Sequence, residues 1–309
     1  MTNDIRPVCV VGGGRMGAGI SQVFALAGFT VFVYEINEQV RTSVVDRVRE
    51  SLARAEQDVA VADRIITTDD LAVAVADVSF VTEAVGEKLE LKREVFAAIA
   101  AAAPDDAILA SNTSVIPISE IAADSPAMDR IVGTHWWNPA PLIPLVEVVQ
   151  AAGTSDETVS RTMKLLATIG KKPVHVRKEV PGFVGNRLQH ALWREAIALV
   201  QEGVCDATTV DEVVKNSFGL RLAVLGPLEN ADLVGLDLTL DIHRVVVPAL
   251  DRQDGPNPVL VDKVEHGLLG CKTGEGFRHW SPEDVAELNN RLESHLVRLL
   301  HPRNTGPVG

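Results

Sequence analysis

Three glycines stand at a spacing that lets a main chain approach phosphate groups closely. The run Gly-Gly-Gly-Arg-Met-Gly, starting at Gly12, follows an apolar strand-like segment and opens a helical one. Gly12 permits a tight turn, Gly14 leaves room for a pyrophosphate, and Gly17 lets helix and strand pack closely. The amide groups at the helix start, at Arg15 and Met16, are free to bind phosphate oxygens. This G-x-G-x-x-G pattern in this context predicts dinucleotide binding.

An acidic residue follows at the distance expected for recognition of a ribose. Glu35 lies eighteen residues after Gly17, at the end of the second predicted strand, where its carboxylate can accept hydrogen bonds from adenosine ribose hydroxyls. Ile36 and Asn37 come next, with no adjacent arginine to attract a 2′-phosphate. The pattern therefore favours NAD over NADP, although Arg41 on the next helix keeps NADP open. FAD shares the glycine fingerprint, but the later motifs favour a nicotinamide cofactor.

A histidine and a glutamate on neighbouring predicted strands form a candidate general base. His135 follows the fifth strand, at the sheet edge where open α/β folds bind ligands, and Glu147 alternates with apolar residues on the next strand. An unpaired carboxylate inside such a strand is costly. Pairing with the imidazole removes that cost, fixes the tautomer and strengthens the histidine as a base. A satisfied core histidine is the structural alternative.

Two polar residues are candidates for holding a substrate oxygen beside this base. Ser114 ends the run Ser-Asn-Thr-Ser after the fourth strand, and Asn186 begins the first helix of the second half. A hydroxyl and an amide can hold an oxygen as it changes from alcohol to carbonyl. An ordinary turn residue and a helix cap are the alternatives.

These residues require a sheet with helices on both faces. Apolar runs alternate with amphipathic segments of helical length, which predicts a doubly wound, mainly parallel Rossmann sheet. From Glu179 onward the pattern is helical only, and Pro181 and Gly182 punctuate the junction. We predict a dinucleotide-binding domain over 1–179 and an all-helical substrate-binding and dimerisation domain over 180–309. The predicted parallel strands are 8–11, 30–34, 78–81, 107–110, 130–133 and 145–149.

Composition limits the partners and the location. The 309 residues carry a formal net charge of -13, which disfavours nucleic acids and anionic membranes as partners. Neither a signal peptide nor a membrane-spanning run is recognisable, so a cytoplasmic location is expected. The three cysteines are far apart, and the eight histidines lack ligand spacing. We therefore expect a small-molecule substrate, neither a disulfide framework nor a metal site, and no metal-dependent alcohol dehydrogenase.

Six ordered motifs resemble the 3-hydroxyacyl-CoA dehydrogenase family from about Pro7 to Phe277. The resemblance implies that His135 is the catalytic base with Glu147 as its partner, and that Ser114 and Asn186 contact the substrate oxygen. It also implies that Glu87 and Lys92 line the cofactor side of the cleft, that the helical domain forms a homodimer, and that fatty acid metabolism is the setting. The motifs are Gly-Gly-Gly-Arg-Met-Gly-Ala-Gly-Ile (12–20), Ser-Asn-Thr-Ser (111–114), His-Trp-Trp-Asn-Pro-Ala-Pro (135–141), Leu-Val-Glu-Val-Val (145–149), Pro-Gly-Phe-Val-Gly-Asn-Arg (181–187) and Lys-Thr-Gly-Glu-Gly-Phe (272–277).

Three departures from the family pattern concern the substrate. The segment 38–68 is shorter than the family's lysine-rich arm for the CoA nucleotide and contains five arginines but no lysine. The residues at 136–137, 142–144 and 219–227 also differ, and resemble branches that oxidise free hydroxy acids such as gulonate, carnitine or cyclic carboxylates. In such a branch Arg221 is a candidate for gripping a substrate carboxylate, with a surface loop charge as the alternative.

The sequence thus predicts an NAD-dependent oxidoreductase that interconverts a short-chain 3-hydroxyacyl-CoA, such as 3-hydroxybutyryl-CoA, with its 3-keto form. The close alternative is a dehydrogenase of a free hydroxy acid. A non-catalytic NAD-binding protein is a third reading, which the set Ser114, His135, Glu147 and Asn186 disfavours because such a protein has no need of all four.

Overall fold

The computed structural model describes residues 6–300; residues 1–5 and 301–309, the latter belonging to the predicted second domain, lie outside the described part. Eight strands in the described residues form one sheet in the order β3-β2-β1-β4-β5-β6-β7-β8. The strands are β1 (Val8–Val11), β2 (Val31–Tyr34), β3 (Ile65–Thr68), β4 (Phe80–Glu83), β5 (Ile108–Ser111), β6 (Ile131–Trp136), β7 (Leu145–Val149) and β8 (Lys172–Val176).

The predicted doubly wound sheet is confirmed, with the last two strands, β7 and β8, running against the other six. All neighbouring strands are parallel except β6 and β7, which pair antiparallel. The expectation that 145–149 is a parallel strand like its predecessor was wrong. Only residues 137–144 connect β6 to β7, whereas a parallel crossover needs a dozen residues or more. The short connection therefore makes β7 run antiparallel to β6, as in a hairpin.

Helices cover both faces of the sheet because the central strands are apolar on both sides. Every residue of β1, β4, β5 and β6 is buried. On one face Phe24 packs against Phe80 and Trp136, and on the other Phe96 and Ile99 belong to a second core cluster. The helices of this half are α1 (Arg15–Leu26), α2 (Glu38–Arg54), α3 (Leu71–Val75), α4 (Leu89–Ala102), α5 (Ile118–Ile121) and α6 (Asp156–Thr168), with 3-10 helices at Val59–Arg64 and Met128–Arg130.

The second half is helical, as predicted. It contains α7 (Gly185–Gln201), α8 (Ala207–Asn216), α9 (Pro227–Val234), α10 (Leu236–Val246), α11 (Pro258–Glu265) and α12 (Pro282–Leu300), with 3-10 helices at Phe218–Leu220 and Val247–Ala249. The described residues divide into two compact units, one containing residues 6–186 with those from His295 onward, the other Arg187–Ser294. No helix within residues 6–300 has the length and apolar character needed to cross a membrane.

Candidate active site

The glycine-rich turn between β1 and α1 forms a cradle with open space at its centre. Gly12 has a φ of +103°, a conformation that favours glycine. A Cβ on Gly17 would lie 1.8 Å from the carbonyl oxygen of Gly12, so no side chain fits there. A Cβ on Gly14, by contrast, would meet nothing within 4 Å. The turn is thus tightly packed at Gly12 and Gly17 and open at Gly14, which leaves room for a pyrophosphate group.

The first turn of α1 and the end of β2 supply the polar groups around this cradle. Gly14 caps α1 without a side-chain hydrogen bond, which leaves the first amide groups, those of Arg15 and Met16 included, for phosphate oxygens. The Glu35 carboxylate accepts a hydrogen bond from the Gly13 amide at 2.8 Å and from the Asn37 amide at 2.8 Å. These contacts hold the carboxylate beside the glycine turn, where the adenosine ribose of a dinucleotide binds.

His135 and Glu147 face each other across the antiparallel pair β6–β7. The two residues are direct register partners, and Nδ1 of His135 lies 2.7 Å from Oε2 of Glu147. Both are buried, at 4% and 1% exposure. The sequence places His135 just after a strand, whereas the structure extends β6 through Trp136 because the ladder with β7 continues to that residue. The antiparallel return of β7 brings the imidazole and the carboxylate into contact.

The second oxygen of the Glu147 carboxylate is occupied by main-chain donors. Oε1 accepts hydrogen bonds from the amides of Val184 at 2.9 Å and Gly185 at 3.0 Å. Burial alone would raise the pKa of Glu147, but the hydrogen bonds from His135, Gly185 and Val184 together hold the pKa below its ordinary value. An ionised Glu147 only accepts hydrogen bonds, so Nδ1 of His135 carries a proton, and in the neutral imidazole the lone pair is on Nε2. In this tautomer Nε2 is the ring nitrogen that can accept a proton.

Aromatic rings enclose the imidazole. The centroid of His135 lies 5.2 Å from that of Trp137 and 5.6 Å from that of Phe183, which is itself buried. Phe183 has a φ of +49°, an uncommon conformation for a bulky residue. These rings limit the access of water to the His135–Glu147 pair. The lower local dielectric constant strengthens the attraction between the imidazole and the carboxylate.

Ser114 and Asn186 are brought together by the turn after β5. The Glu87 carboxylate accepts hydrogen bonds from the Thr113 hydroxyl at 2.5 Å and from the Ser114 amide at 2.8 Å. The amide of Asn186 donates to the main-chain oxygen of Ser114 at 3.1 Å. Burial would raise the pKa of Glu87, but the hydrogen bond from Thr113 and the charge of Lys92 lower it. The turn that carries the Ser114 hydroxyl is thus fixed from two sides.

Lys92 is buried within this network. Its Nζ lies 2.7 Å from Oε1 of Glu83 and 3.2 Å from Oε2 of Glu87, and the side chains of Lys92 and Glu83 have no exposed surface. The other Glu83 oxygen accepts from the Ser111 hydroxyl at 2.7 Å. Sequence reasoning missed Glu83, although it is a lone carboxylate at the end of a buried strand, the same signal that singled out Glu147.

Consecutive residues connect the two groups of contacts. Val184 and Gly185 bind Glu147, and Asn186, the next residue along the chain, binds Ser114. The structure therefore brings the His135–Glu147 pair and the Ser114 turn to one region of the first unit. Arg221 belongs to the second unit and is exposed after the 3-10 helix Phe218–Leu220. Among the described residues no group of three or more histidine, cysteine, aspartate or glutamate side chains could hold a metal ion.

Family models place this site in a known context. Residues 7–180 match the NAD-binding domain of 3-hydroxyacyl-CoA dehydrogenase, and residues 182–280 match the C-terminal domain of the same enzyme. The chain belongs to the 3-hydroxyacyl-CoA dehydrogenase family. It is an NAD-dependent oxidoreductase of this family acting on CH–OH donors, and NAD is its cofactor.

Relatives in this family have two kinds of substrate in their names. A 5-formyl-3-hydroxy-2-methylpyridine 4-carboxylate 5-dehydrogenase of Mesorhizobium japonicum is 35% identical over 299 residues, 95% of this chain and 96% of the relative. A probable 3-hydroxybutyryl-CoA dehydrogenase of Bacillus subtilis is 39% identical over 283 residues, 89% of this chain and 97% of the relative.

Two solved structures are similar to this chain over nine-tenths of its length or more. A 5-formyl-3-hydroxy-2-methylpyridine 4-carboxylic acid 5-dehydrogenase, described as an NAD+ dependent dismutase, has a TM-score of 0.88 at 32% identity and covers 96% of this chain and 98% of its own. FadB2 of Mycobacterium tuberculosis has a TM-score of 0.75 at 36% identity and covers 90% of this chain and 99% of its own.

Proposed function

We propose that this chain oxidises the hydroxyl carbon of a 3-hydroxyacyl-type substrate with His135 as general base and Glu147 as its orienting partner. The observation that carries the proposal is the 2.7 Å contact between Nδ1 of His135 and the buried Glu147 carboxylate. Because Glu147 holds the proton on Nδ1, Nε2 accepts the proton of the substrate hydroxyl. NAD, when bound, supplies the hydride acceptor. The imidazolium that results is stabilised by the carboxylate beside it.

Ser114 and Asn186 have the proposed role of holding the reacting oxygen. The Asn186 amide uses one N–H on the main chain of Ser114, which leaves a second N–H and the Ser114 hydroxyl as donors for a substrate oxygen. Both hydrogen bonds strengthen as the oxygen acquires alkoxide character in the transition state, whichever way the reaction runs. Glu87 and Lys92 remain predicted cofactor-side residues, and their contacts support an added positioning role for the Ser114 turn.

A short-chain 3-hydroxyacyl-CoA, such as 3-hydroxybutyryl-CoA, is the first proposed substrate. It is supported by the two family models and by relatives named 3-hydroxybutyryl-CoA dehydrogenase that align over about nine-tenths of this chain. With this substrate the reaction gives a 3-ketoacyl-CoA, and the reverse reduction runs through the same proton on Nε2. Fatty acid metabolism is the setting that this substrate implies.

A free hydroxy acid is a second candidate, which the arginines of segment 38–68 favour. Arg49 bonds Asp46 and Asp63, Arg64 bonds the carbonyl of Gly28, and the others are engaged as well. The phosphates of a CoA nucleotide would therefore have to compete with an existing intramolecular interaction at every arginine of this segment: Arg41, Arg47, Arg49, Arg54 and Arg64. In this candidate Arg221 is the proposed partner of the substrate carboxylate.

A substrate panel tests the proposal. NADH consumption with acetoacetyl-CoA is compared with NAD reduction by 3-hydroxybutyrate, gulonate, carnitine and a hydroxymethylpyridine carboxylate. Turnover of the thioester alone supports the CoA substrate, and turnover of a free acid that an Arg221→Ala variant loses supports the second candidate. His175→Gln, a change at an exposed histidine, is the control for each variant. Absence of turnover with every compound of both classes would contradict the proposed reaction.

A homodimer is the proposed assembly, formed through the helical unit. Of the residues from Arg187 to Ser294, only Ala198 and Asn257 are buried, so this unit lacks an apolar core of its own in the single chain. Leu228, Leu233 and Val245 are at least 70% exposed. Exposed apolar surface on this scale marks an interface. Sedimentation velocity of the protein and of Leu233→Glu tests the dimer; a monomeric parent protein would contradict it.

Two further expectations stay predictions. The cytoplasmic location rests on the sequence alone. The division between residues 179 and 180 rests on the change from alternating strands and helices to helices only, and limited proteolysis is its direct test.

A further inference from the structure

A cation lies directly behind the proposed ribose-recognition residue. The guanidinium of Arg41, on α2, donates a hydrogen bond to the main-chain oxygen of Glu35 at 3.0 Å. Its other nitrogen lies 3.0 Å from Oδ2 of Asp69, which follows β3. Arg41 therefore lies beside Glu35, the residue proposed to distinguish NAD from NADP. Its guanidinium forms an ion pair with Asp69 at the end of the neighbouring strand.

This arrangement has a consequence for the choice between the two cofactors. In dinucleotide-binding folds an acidic residue at the end of the second strand selects the ribose 2′-hydroxyl, and an arginine nearby accommodates a 2′-phosphate. The chain has both residue types, and the Arg41 guanidinium bonds the main-chain oxygen of Glu35. Glu35 repels a 2′-phosphate, and Arg41 would attract one if its charge were not already paired. Which effect prevails then depends on the partner of Arg41.

We propose that Asp69 is a cofactor-specificity residue, which directs Arg41 away from the position of a 2′-phosphate and so completes the selection of NAD begun by Glu35. Removal of the Asp69 charge converts Arg41 into a 2′-phosphate ligand. The inference concerns the nucleotide site alone and is independent of the proposed substrate.

The exposures of the two partners make this exchange feasible. Asp69 is 64% exposed and Arg41 only 18%, so the acid is the loosely held member of the pair. Surface ion pairs are weak, whereas an arginine and a phosphate form charge-assisted, bidentate hydrogen bonds. The contact with the Glu35 carbonyl keeps Arg41 in place after Asp69 is changed. The Asp69→Asn substitution thus keeps Arg41 at the site and removes the carboxylate that competes with a phosphate for it.

Nucleotide binding by calorimetry, without substrate, tests the proposal. Adenosine 2′,5′-bisphosphate is the probe for the 2′-phosphate, and AMP is the probe for an intact adenosine site. Asp69→Asn is measured with Glu35 intact and in a Glu35→Gln background. In both we expect about fivefold tighter binding of the bisphosphate, equal to the upper value of a surface ion pair, with AMP affinity little changed. In turnover assays the ratio of kcat/KM with NADP to kcat/KM with NAD should rise by a similar factor.

Arg41→Met separates the proposed exchange from a general change of charge. In the Arg41→Met background, Asp69→Asn should improve bisphosphate binding by less than about twofold, because the cation that takes over the phosphate is missing. Asp63→Asn, which breaks the comparable pair between Arg49, another arginine of α2, and Asp63 of the following 3-10 helix, is the matched control and should have no effect. An unchanged affinity in Asp69→Asn, or an equal gain with and without Arg41, would overturn the proposal.

Discussion

Replacement of Glu147 by glutamine should reverse the tautomer of His135 without removing a side chain. Oε1 of Glu147 accepts two main-chain N–H groups, from Val184 and Gly185, so the single oxygen of a glutamine must occupy that position. Its NH2 group then faces Nδ1 of His135, which has to accept rather than donate a hydrogen bond. The proton moves to Nε2, and the imidazole no longer serves as a base toward the substrate.

The magnitude follows from the loss of the base. A histidine held in the wrong tautomer by such a substitution costs about 10,000-fold in kcat, or ~5 kcal/mol of transition-state stabilisation. We expect this loss in kcat for Glu147→Gln, measured as NAD reduction, with the affinity for NAD unchanged because the glycine turn is untouched. The change is small in volume, so the fold should persist in circular dichroism.

A matched variant identifies the cause. Glu179 also accepts a main-chain N–H, from Ser119 at 3.0 Å, and Glu179→Gln should keep nearly full activity because this carboxylate does not bond His135. Near-normal kcat in Glu147→Gln would refute the tautomer argument. A loss of kcat accompanied by an equal loss of NAD affinity would refute it as well, since it would indicate a general disturbance of the fold.

Three other predictions concern stability and cofactor binding. Lys92→Met leaves the buried Glu83 carboxylate without its cation, and urea unfolding should show a loss of about 3–5 kcal/mol, whereas Lys88→Met on the surface should cost little; equal midpoints would contradict this. Burial lowers the pKa of Lys171 to about 8, so between pH 8 and 10 this lysine binds more protons in the unfolded chain than in the folded one, and the free energy of unfolding of the parent should rise by ~2 kcal/mol relative to that of Lys171→Met; parallel curves for the two proteins would exclude it. Gly14→Ala meets no atom within 4 Å, so the melting temperature should hold while calorimetry shows NAD affinity falling about tenfold or more; unchanged affinity would place the phosphates elsewhere.

The sequence was sufficient for the central sheet because its strands are short, largely apolar runs between helices. The strand β3 was missed for the opposite reason. Its residues Ile65–Thr68 end in two threonines, and the strand is at the sheet edge and only partly buried. The sequence therefore has no apolar run that indicates a strand there. The antiparallel direction of β7, however, was available from the sequence, since residues 137–144 are too few for a parallel crossover.

The candidate site was predictable in its residue types but incompletely in its contacts. A lone carboxylate on a buried strand predicted the pairing of Glu147 with His135, and the structure brings the two together. The same reasoning applied to β4 would have found Glu83. No periodic signal indicates that the amides of Val184 and Gly185 reach Glu147, because main-chain donors are alike in every sequence and only the fold directs them.

Single-turnover formation of NADH by His135→Gln tests the proposed base most directly. The variant is mixed with saturating NAD and the hydroxy form of the best substrate of the panel, which for the thioester is 3-hydroxybutyryl-CoA, and NAD binding is measured separately by calorimetry. We predict that NAD affinity stays at the parent value while the rate of NADH formation falls by a factor of about 1,000 or more, the usual range for loss of a general base that also orients the reacting oxygen. NADH formation at the parent rate in His135→Gln would contradict the assignment of His135 as the base.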